Sequence, residues 1–392
     1  MLLSSYCPNW EQCPSSKSHE ENRSKEAVPL HHAVRPIYGD EMVRYDGLWE
    51  SFLTFDNFYD AYLDAVRRNK YKGEAMAASE RIDLVIWDMM DRLEAGIWKP
   101  LPVHEFLVQT EVKRRVVHAP AFKDRVVHHA LVNVIAPLFE RKYIYDSYAS
   151  RIGKGTHKAV CRVQEFIRSC RARFGSCYVL QGDIHKYYDS VSHEALMRVL
   201  SRTIKDDRIL DLCWRIISAY APGIPIGALT SQLFANVYLD IFDHLAKDRL
   251  QVKMYLRYMD DFIVIAPEKE LLWQYLHSMG IFLKEELLLN LNPKTGIYPA
   301  SHGVDFCGYR TFEQKILPRQ RNIRAARKRF KDLSYRYRWG RTDFEDVRPR
   351  VGSFLGYMKH CNGYESTMSV LNGLILQRRN IDGRERTQGA VS

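Results

Sequence analysis

No cysteine of this chain stands in a CxxC pair. The eight cysteines, Cys7, Cys13, Cys161, Cys170, Cys177, Cys213, Cys307 and Cys361, are scattered, which argues against a zinc ribbon or a dithiol motif and for free thiols in a reducing compartment. Cys7, Cys13, His31 and His32 have a spacing that fits no familiar zinc site. No apolar run is long enough to cross a bilayer. There is no internal repeat, and "MLLSSYC" lacks the basic start and the length of a secretory signal. A cytoplasmic location with no membrane contact is expected. Negative charge is missing from one stretch in particular. Between Arg319 and Lys331 there is no carboxylate, while Arg319, Arg321, Arg324, Arg327, Lys328, Arg329 and Lys331 are all basic. The whole chain of 392 residues carries a formal net charge of +11, a balance that suits a polyanionic partner. Hydrophobic content of 46% and charged content of 27% are those of an ordinary globular protein.

Residues 1–46 are polar and without periodicity, which reads as a loose tail. "LWESFLTFDNFYDAYLDAVRRNKY", "ASERIDLVIWDMMDRLEAGIW" and "DRVVHHALVNVIAPLFERKY" place apolar residues at helical steps, whereas "VHEFLVQTEVKRRVVHAP" alternates like a β-hairpin. In the middle of the chain "YVLQGDI" reads as a strand. It is followed by a helix from about Ser192, another through "LTSQLFANVYLDIFDHLAKDRL", the paired strands of "VKMYLRYMDDFIVIA", a helix over roughly 268–288 and a closing strand in "GVDFCGYRTF" at 303–312. Leaving aside the extra helix, the order is β-α-β-β-α-β, a ferredoxin-like arrangement with an antiparallel sheet. "VGSFLGYMKHCNGY" reads as a further helix.

The segment "YLRYMDDFIVIA" sets Asp260 and Asp261 inside an apolar run. Neighbours on a strand point to opposite faces, so an unturned strand would bury one of them uncompensated. A turn between two strands avoids this. The strand "YVLQGDI" ends in Asp183, and in a β-α-β-β-α-β sheet that strand lies beside the central hairpin. Three carboxylates brought together repel one another unless a divalent cation balances them. Hard oxygen donors suit Mg²⁺, and two such ions can clamp the attacking and leaving oxygens of a phosphoryl displacement. Taken alone, an Asp-Asp pair is also an ordinary polar turn.

"YMDD" in "LRYMDDFIVIA" resembles the signature turn of reverse transcriptases. "GDIHKYYDSVSH" resembles their first metal-binding motif and "GIPIGALTSQLFANVYLD" the motif that holds the incoming nucleotide, while "LNPKTG" and "VDFCGYRTF" stand where the next two motifs fall. The resemblance runs from about residue 48 to 365. It implies an α+β right-hand polymerase with fingers at 47–177, a ferredoxin-like palm at 178–313, a short basic helical thumb at 314–380 and a tail at 381–392. It implies RNA-directed DNA synthesis with two Mg²⁺ ions, or Mn²⁺ in their place, held by Asp183 and Asp260 with help from Asp261 and the carbonyl of Ile184. Tyr188 falls on the position of the steric gate against ribonucleotides, and a core tyrosine is the plainer alternative. Arg115 matches an arginine that contacts the triphosphate. Lys113 and Arg125 are further candidates, and Lys294 matches a lysine proposed to protonate pyrophosphate, though a surface lysine reads the same way. "SRIGKGTHKA" offers Arg151 and Lys154 to a template strand. Arg324, Arg327, Lys328 and Arg329 would grip the backbone of the duplex.

The nucleotide motif departs from the usual Gln-Gly and Ser-Pro. Here Ile226-Gly227 precedes Ser231-Gln232. That form, with "DRVVHHAL", "YDSYASRIGKGTHKA" and "GYMKHCN", resembles the enzymes of diversity-generating retroelements. The resemblance implies dNTPs and a template RNA as substrates, an RNA/cDNA duplex as product, adenine-directed errors and a small basic accessory variability protein. Isoleucine offers no hydrogen bond near the nascent pair, and Gln232 in place of proline is expected to free the backbone beside the pocket. The other reverse transcriptase types that share part of the pattern are a phage-defence enzyme, an intron maturase and a retron enzyme, the last disfavoured because the "VTG" triplet usual in its thumb is absent. The maturase is disfavoured by a chain that ends soon after the thumb. A catalytically idle RNA-binding protein is the reading from another class.

Overall fold

The computed structural model describes residues 43–67, 81–109 and 114–379. They divide into two compact units, one holding residues up to Cys307 together with 312–314, the other 308–311 and the residues from Lys315 onward. Among the described residues no helix is long and apolar enough to cross a membrane, and the six described cysteines are free. Cys7, Cys13, His31, His32 and Lys113 lie outside the described residues.

The larger unit begins with helices α1 (Leu48–Phe52), α2 (Phe55–Arg67) and α3 (Ile82–Glu94). An antiparallel pair follows, β1 (His104–Gln109) and β2 (Arg114–Ala119), and then α4 (Phe122–Glu140) and α5 (Thr156–Phe174). Helices and hairpin occupy the stretches where the apolar period changes from helical to alternating. Strand β3 (Tyr178–Asp183) opens the central sheet. After it come a short turn of helix, α6 (Tyr187–Ser190), and helices α7 (His193–Ser201), α8 (Asp207–Ser218) and α9 (Leu229–His244). The hairpin of β4 (Tyr255–Tyr258) and β5 (Asp261–Ala266), helix α10 (Lys269–Glu286) and β6 (Gly296–Pro299) complete the sheet.

The strand order is β4-β5-β3-β6, antiparallel at every pair, which is the order a ferredoxin-like β-α-β-β-α-β chain produces. The unbroken apolar run of β5 is explained by its two covered faces. Phe262 and Val264 join Leu180 and Tyr255 in one core, while Ile263 and Ile265 join Val179, Leu256 and residues of α5 in a second. The alternation of side chains along each strand sends neighbours to different cores. Opposite Phe262 stands Gly182, where a Cβ would lie 2.1 Å from the ring. The large ring fills the space that glycine leaves, next to Asp183.

The fourth strand is not where the sequence pattern puts it. It is Gly296–Pro299, paired with Tyr178–Gln181, and the expected closing strand at 303–312 is replaced by separate short strands, Val304–Phe306 and Tyr309–Thr311. "GIYP" is an edge strand with every residue half-buried. It therefore shows no alternation, and its Pro and Gly are residues that only an edge tolerates.

In the smaller unit Tyr309–Thr311 pairs with Ile316–Pro318, and helices α11 (Gln320–Arg338), α12 (Phe344–Met358) and α13 (Tyr364–Leu371) follow. Ile323, Ala326, Phe330 and Leu333 of α11 pack with Val347, Phe354, Met358 and Val370. Asn362 ties the hairpin to these helices: its N–H donates to the Ile316 carbonyl, and its side-chain oxygen accepts from the Ile316 N–H.

Candidate active site

Strand register decides what faces what. Asp183 lies directly opposite Asp261 across β3 and β5, and cross-strand partners hold their Cβ atoms about 4.5–5.5 Å apart on the same face. Asp260 precedes Asp261 in the tight turn that joins β4 to β5. Met259, at the start of that turn, has a φ of 56°, a left-handed conformation that costs a side-chain-bearing residue roughly 1–3 kcal/mol. Asp183 is anchored by a residue that sequence reasoning passed over. Asn292 donates from its side chain to Asp183 Oδ2 at 2.8 Å and from its backbone N–H to the Asp183 carbonyl at 2.7 Å. Ile184, its side chain buried, pairs with Leu291 in an isolated bridge. The signal was present in "LNPKTG", but that motif drew attention to Lys294, which is exposed and donates its N–H to Asn292 Oδ1.

Among the described residues no three His, Cys, Asp or Glu side chains form a protein cage for a metal ion. The facing pair Asp183 and Asp261, with Asp260 beside it, is instead a sparse set of hard oxygen donors. Such a set suits a hard divalent cation that completes its shell with waters.

A second cluster lies beneath the turn. Arg257 of β4 is 1% exposed and forms a bidentate pair with fully buried Asp243 of α9, at 2.7 Å from Nε and 2.6 Å from Nη2. Burial works against the charge of Arg257, but the Asp243 carboxylate outweighs it and holds the guanidinium firmly protonated. Tyr255 also donates to Asp243, at 2.6 Å.

Tyr188 follows Tyr187, which is buried and donates to the Ala235 carbonyl. The Tyr188 carbonyl accepts from the Ile224 N–H at 2.9 Å, so the "GIPIG" loop is stitched to it. Gly223 sits at φ 73°, and a Cβ there would come within 2.1 Å of the Tyr188 carbonyl oxygen, so the close approach requires glycine. The Ile226 carbonyl accepts from the His118 N–H of β2, and Gly227 packs on Val117. The loop is thus held between Tyr188 and the β1–β2 hairpin, on whose strand β2 Arg115 pairs with Val108.

Three expectations need correction. Gln232 does not free the backbone, because it lies in the first turns of α9, where helical dihedrals are fixed; its side-chain oxygen accepts from Ser150 Oγ at 3.3 Å. Arg151 does not reach outward. Its side chain is 7% exposed, paired with Glu140 and bonded to the carbonyls of Ile144 and Ser147. Lys154 likewise donates to the Tyr145 carbonyl and lies 3.4 Å from the Tyr145 ring centroid. Both cations brace the loop, and Ile152, at 96% exposed, is its tip. Arg125 lies half-buried on α4, over the Phe122 ring. On the same helix His128 is buried and bonded to Thr230, and burial lowers its pKa to about 3, so it stays neutral. Arg324, Arg327, Lys328 and Arg329 are exposed on α11 of the smaller unit.

Residues 109–311, just over half of the chain, match the family model "Reverse transcriptase (RNA-dependent DNA polymerase)". Protein YkfC of Escherichia coli K12 is 26% identical over 280 residues, which are 60% of this chain and 73% of that protein. The group II intron-encoded protein LtrA of Lactococcus lactis is 25% identical over 191 residues, 45% of this chain and only 29% of its own length. The mitochondrial nuclear intron maturase 1 of Arabidopsis thaliana is 31% identical over 102 residues, 25% of this chain and 13% of its own. Among solved structures, telomerase from Candida albicans aligns with a TM-score of 0.42 at 15% identity, covering 70% of this chain and 55% of that one.

Proposed function

Because the chain belongs to the reverse transcriptase (RNA-dependent DNA polymerase) family, we propose that it copies a template RNA into cDNA from dNTPs, with 47–177 as fingers, 178–313 as palm and 314–380 as thumb. The observation that carries this reading is the register that sets Asp183 opposite Asp261 beside the turn bearing Asp260. In the reaction a primer 3′-hydroxyl attacks the α-phosphorus of a dNTP and pyrophosphate leaves. Asp183, Asp260 and Asp261, with the Ile184 carbonyl, would hold Mg²⁺, which supplies charge stabilisation to the attacking and leaving oxygens. Asn292 fixes the Asp183 carboxylate in one orientation. Exposed Lys294, two residues from Asn292, is the candidate proton donor to pyrophosphate. Arg115, with Lys113 and Arg125, is assigned to the triphosphate.

Tyr188 is assigned to the sugar. Its carbonyl accepts from the Ile224 N–H and lies close to Gly223, which fixes the backbone from which the ring projects beside the nucleotide loop. Tyr188→Ala is expected to lower discrimination against ribonucleotides by about tenfold or more, the size of an opened steric contact worth 1–3 kcal/mol. Incorporation ratios of paired dNTP and rNTP measure it, and an unchanged ratio removes Tyr188 from that role.

A finer reading is adenine-directed mutagenesis for gene diversification, carried out in the cytoplasm with a small basic accessory protein. It is supported by Ile226, whose carbonyl is held by His118 and whose side chain has no donor or acceptor to check a nascent pair. The intron-encoded relatives favour the alternative, an intron-type enzyme without a mutagenic role. A lost hydrogen bond worth roughly 1 kcal/mol raises misinsertion several-fold. Sequencing of cDNA is expected to find excess errors at template adenines, reduced in Ile226→Gln. Equal accuracy at all four bases in the parent would favour the intron-type reading.

A further inference from the structure

Arg257 uses every N–H it has. Nε and one Nη2 hydrogen take the two oxygens of Asp243, and the second Nη2 hydrogen reaches Ser147 Oγ at 3.4 Å. Nη1 donates to Asn236 Oδ1 at 3.2 Å and to the Met259 carbonyl at 3.0 Å. The guanidinium is therefore a fixed plate bonded to five acceptor atoms on four residues, one of them the backbone of the turn before Asp260. Its other partners are already fixed. Asp243 and Asn236 stand seven residues apart on one face of α9, and Asn236 donates to the Ala149 carbonyl at 2.8 Å. Arg257 is itself held in β4, its N–H donating to the Asp146 carbonyl and its carbonyl accepting from the Tyr148 N–H.

A buried ion pair is weak evidence for stability, since an apolar pair of similar volume often does as well. This one has a specific target, the carbonyl of the single residue of the turn with positive φ. A left-handed residue with a side chain persists only where its surroundings hold it. We infer that Arg257 is a positioning residue of the polymerase site: with Asp243 and Asn236 it clamps the Met259 carbonyl and so fixes the turn that presents Asp260 and Asp261 to Asp183. The clamp also joins that turn to α9, the helix that follows the nucleotide loop. This inference rests on the polymerase reading above.

The test is Arg257→Lys, compared with the parent and with Asp183→Asn. Lysine keeps the charge opposite Asp243 but has three donors on a point charge, so it cannot fork to Asp243 and Met259 together. Thermal unfolding, primer–template affinity, kcat and the KM for dNTP are all measured. The expected result is a folded variant with a lower unfolding midpoint, because buried acceptors lose their donor, primer–template affinity close to the parent's, and kcat lower by about 10–100-fold, the usual loss when a group that orients a ligating residue is removed. Parent-like kcat in folded Arg257→Lys overturns the inference. If that variant does not fold, Arg257→Met with Asp243→Leu replaces the pair by an apolar one; a folded double variant with low kcat supports the clamp, and one with parent-like kcat overturns it. If the parent itself extends no primer and matches Asp183→Asn, it is the polymerase reading that fails, and the inference falls with it.

Discussion

Asp183→Asn is expected to remove DNA synthesis while leaving the fold and RNA binding intact. Asparagine has the size of aspartate, and its side-chain oxygen can still accept from Asn292, so the contact at 2.8 Å survives. What disappears is one of two carboxylates set directly opposite each other in the sheet. Like charges so placed repel, so the unfolding midpoint should hold or rise. The reaction loses a charged ligand where negative charge gathers on the transferring phosphate, and kcat should fall by roughly 10²–10³-fold, as for loss of one preorganised electrostatic contact. Asp260→Asn should behave in the same way. Primer extension with a parallel RNA-binding titration measures both sides of the claim. Extension within about tenfold of the parent would show that Asp183 serves only the structure of the sheet, where it holds Asn292.

The second large effect concerns α11. Its apolar residues Ile323, Ala326, Phe330 and Leu333 face the core of the smaller unit. Arg321, Arg324, Lys328 and Lys331 follow one another at three- and four-residue steps and are exposed, so with Arg327 they form one stripe. Arg329 is also exposed but lies off that stripe. Backbone contacts of this kind release counterions, and a protein making six to ten of them loses about 10³–10⁵ in affinity between 50 and 200 mM salt. Neutralising Arg324, Lys328 and Lys331 together to Gln should weaken primer–template binding at low salt and reduce the slope of log affinity against log salt by roughly 2–3. The unfolding midpoint should not move, since no buried face is touched. An unchanged slope would show that the stripe meets only solvent.

The sheet that carries the three aspartates was legible because its signals are local. An aspartate at the end of an apolar strand and two more at a turn between apolar strands point to one place once the strand order is known, and the order β-α-β-β-α-β could be read from alternating periods. The edge strand Gly296–Pro299 was not legible. Half-buried on every residue, it carries no alternation, and a later, more apolar stretch attracted the assignment. Side-chain direction in loops was equally hidden. Arg151 in "SRIGKG" looks the same in sequence whether it meets a template or, as here, Glu140 and two carbonyls. The Arg257 clamp depends on Asp243, Asn236 and Ser147, brought together only by the packing of α9 and the 144–149 segment on β4. No spacing rule announces a contact of that kind. Gln232 read as a released backbone because proline was the comparison, whereas the helix fixes its dihedrals whatever the residue.

The claim that Asp183, Asp260 and Asp261 form a site for RNA-templated DNA synthesis is tested most directly by extension of a DNA primer on a defined RNA template with dNTPs and Mg²⁺. Product reaching the template end in the parent, and missing in Asp260→Asn at equal RNA occupancy, is the expected result. Folded, RNA-bound parent protein that adds no nucleotide with either Mg²⁺ or Mn²⁺ would contradict it.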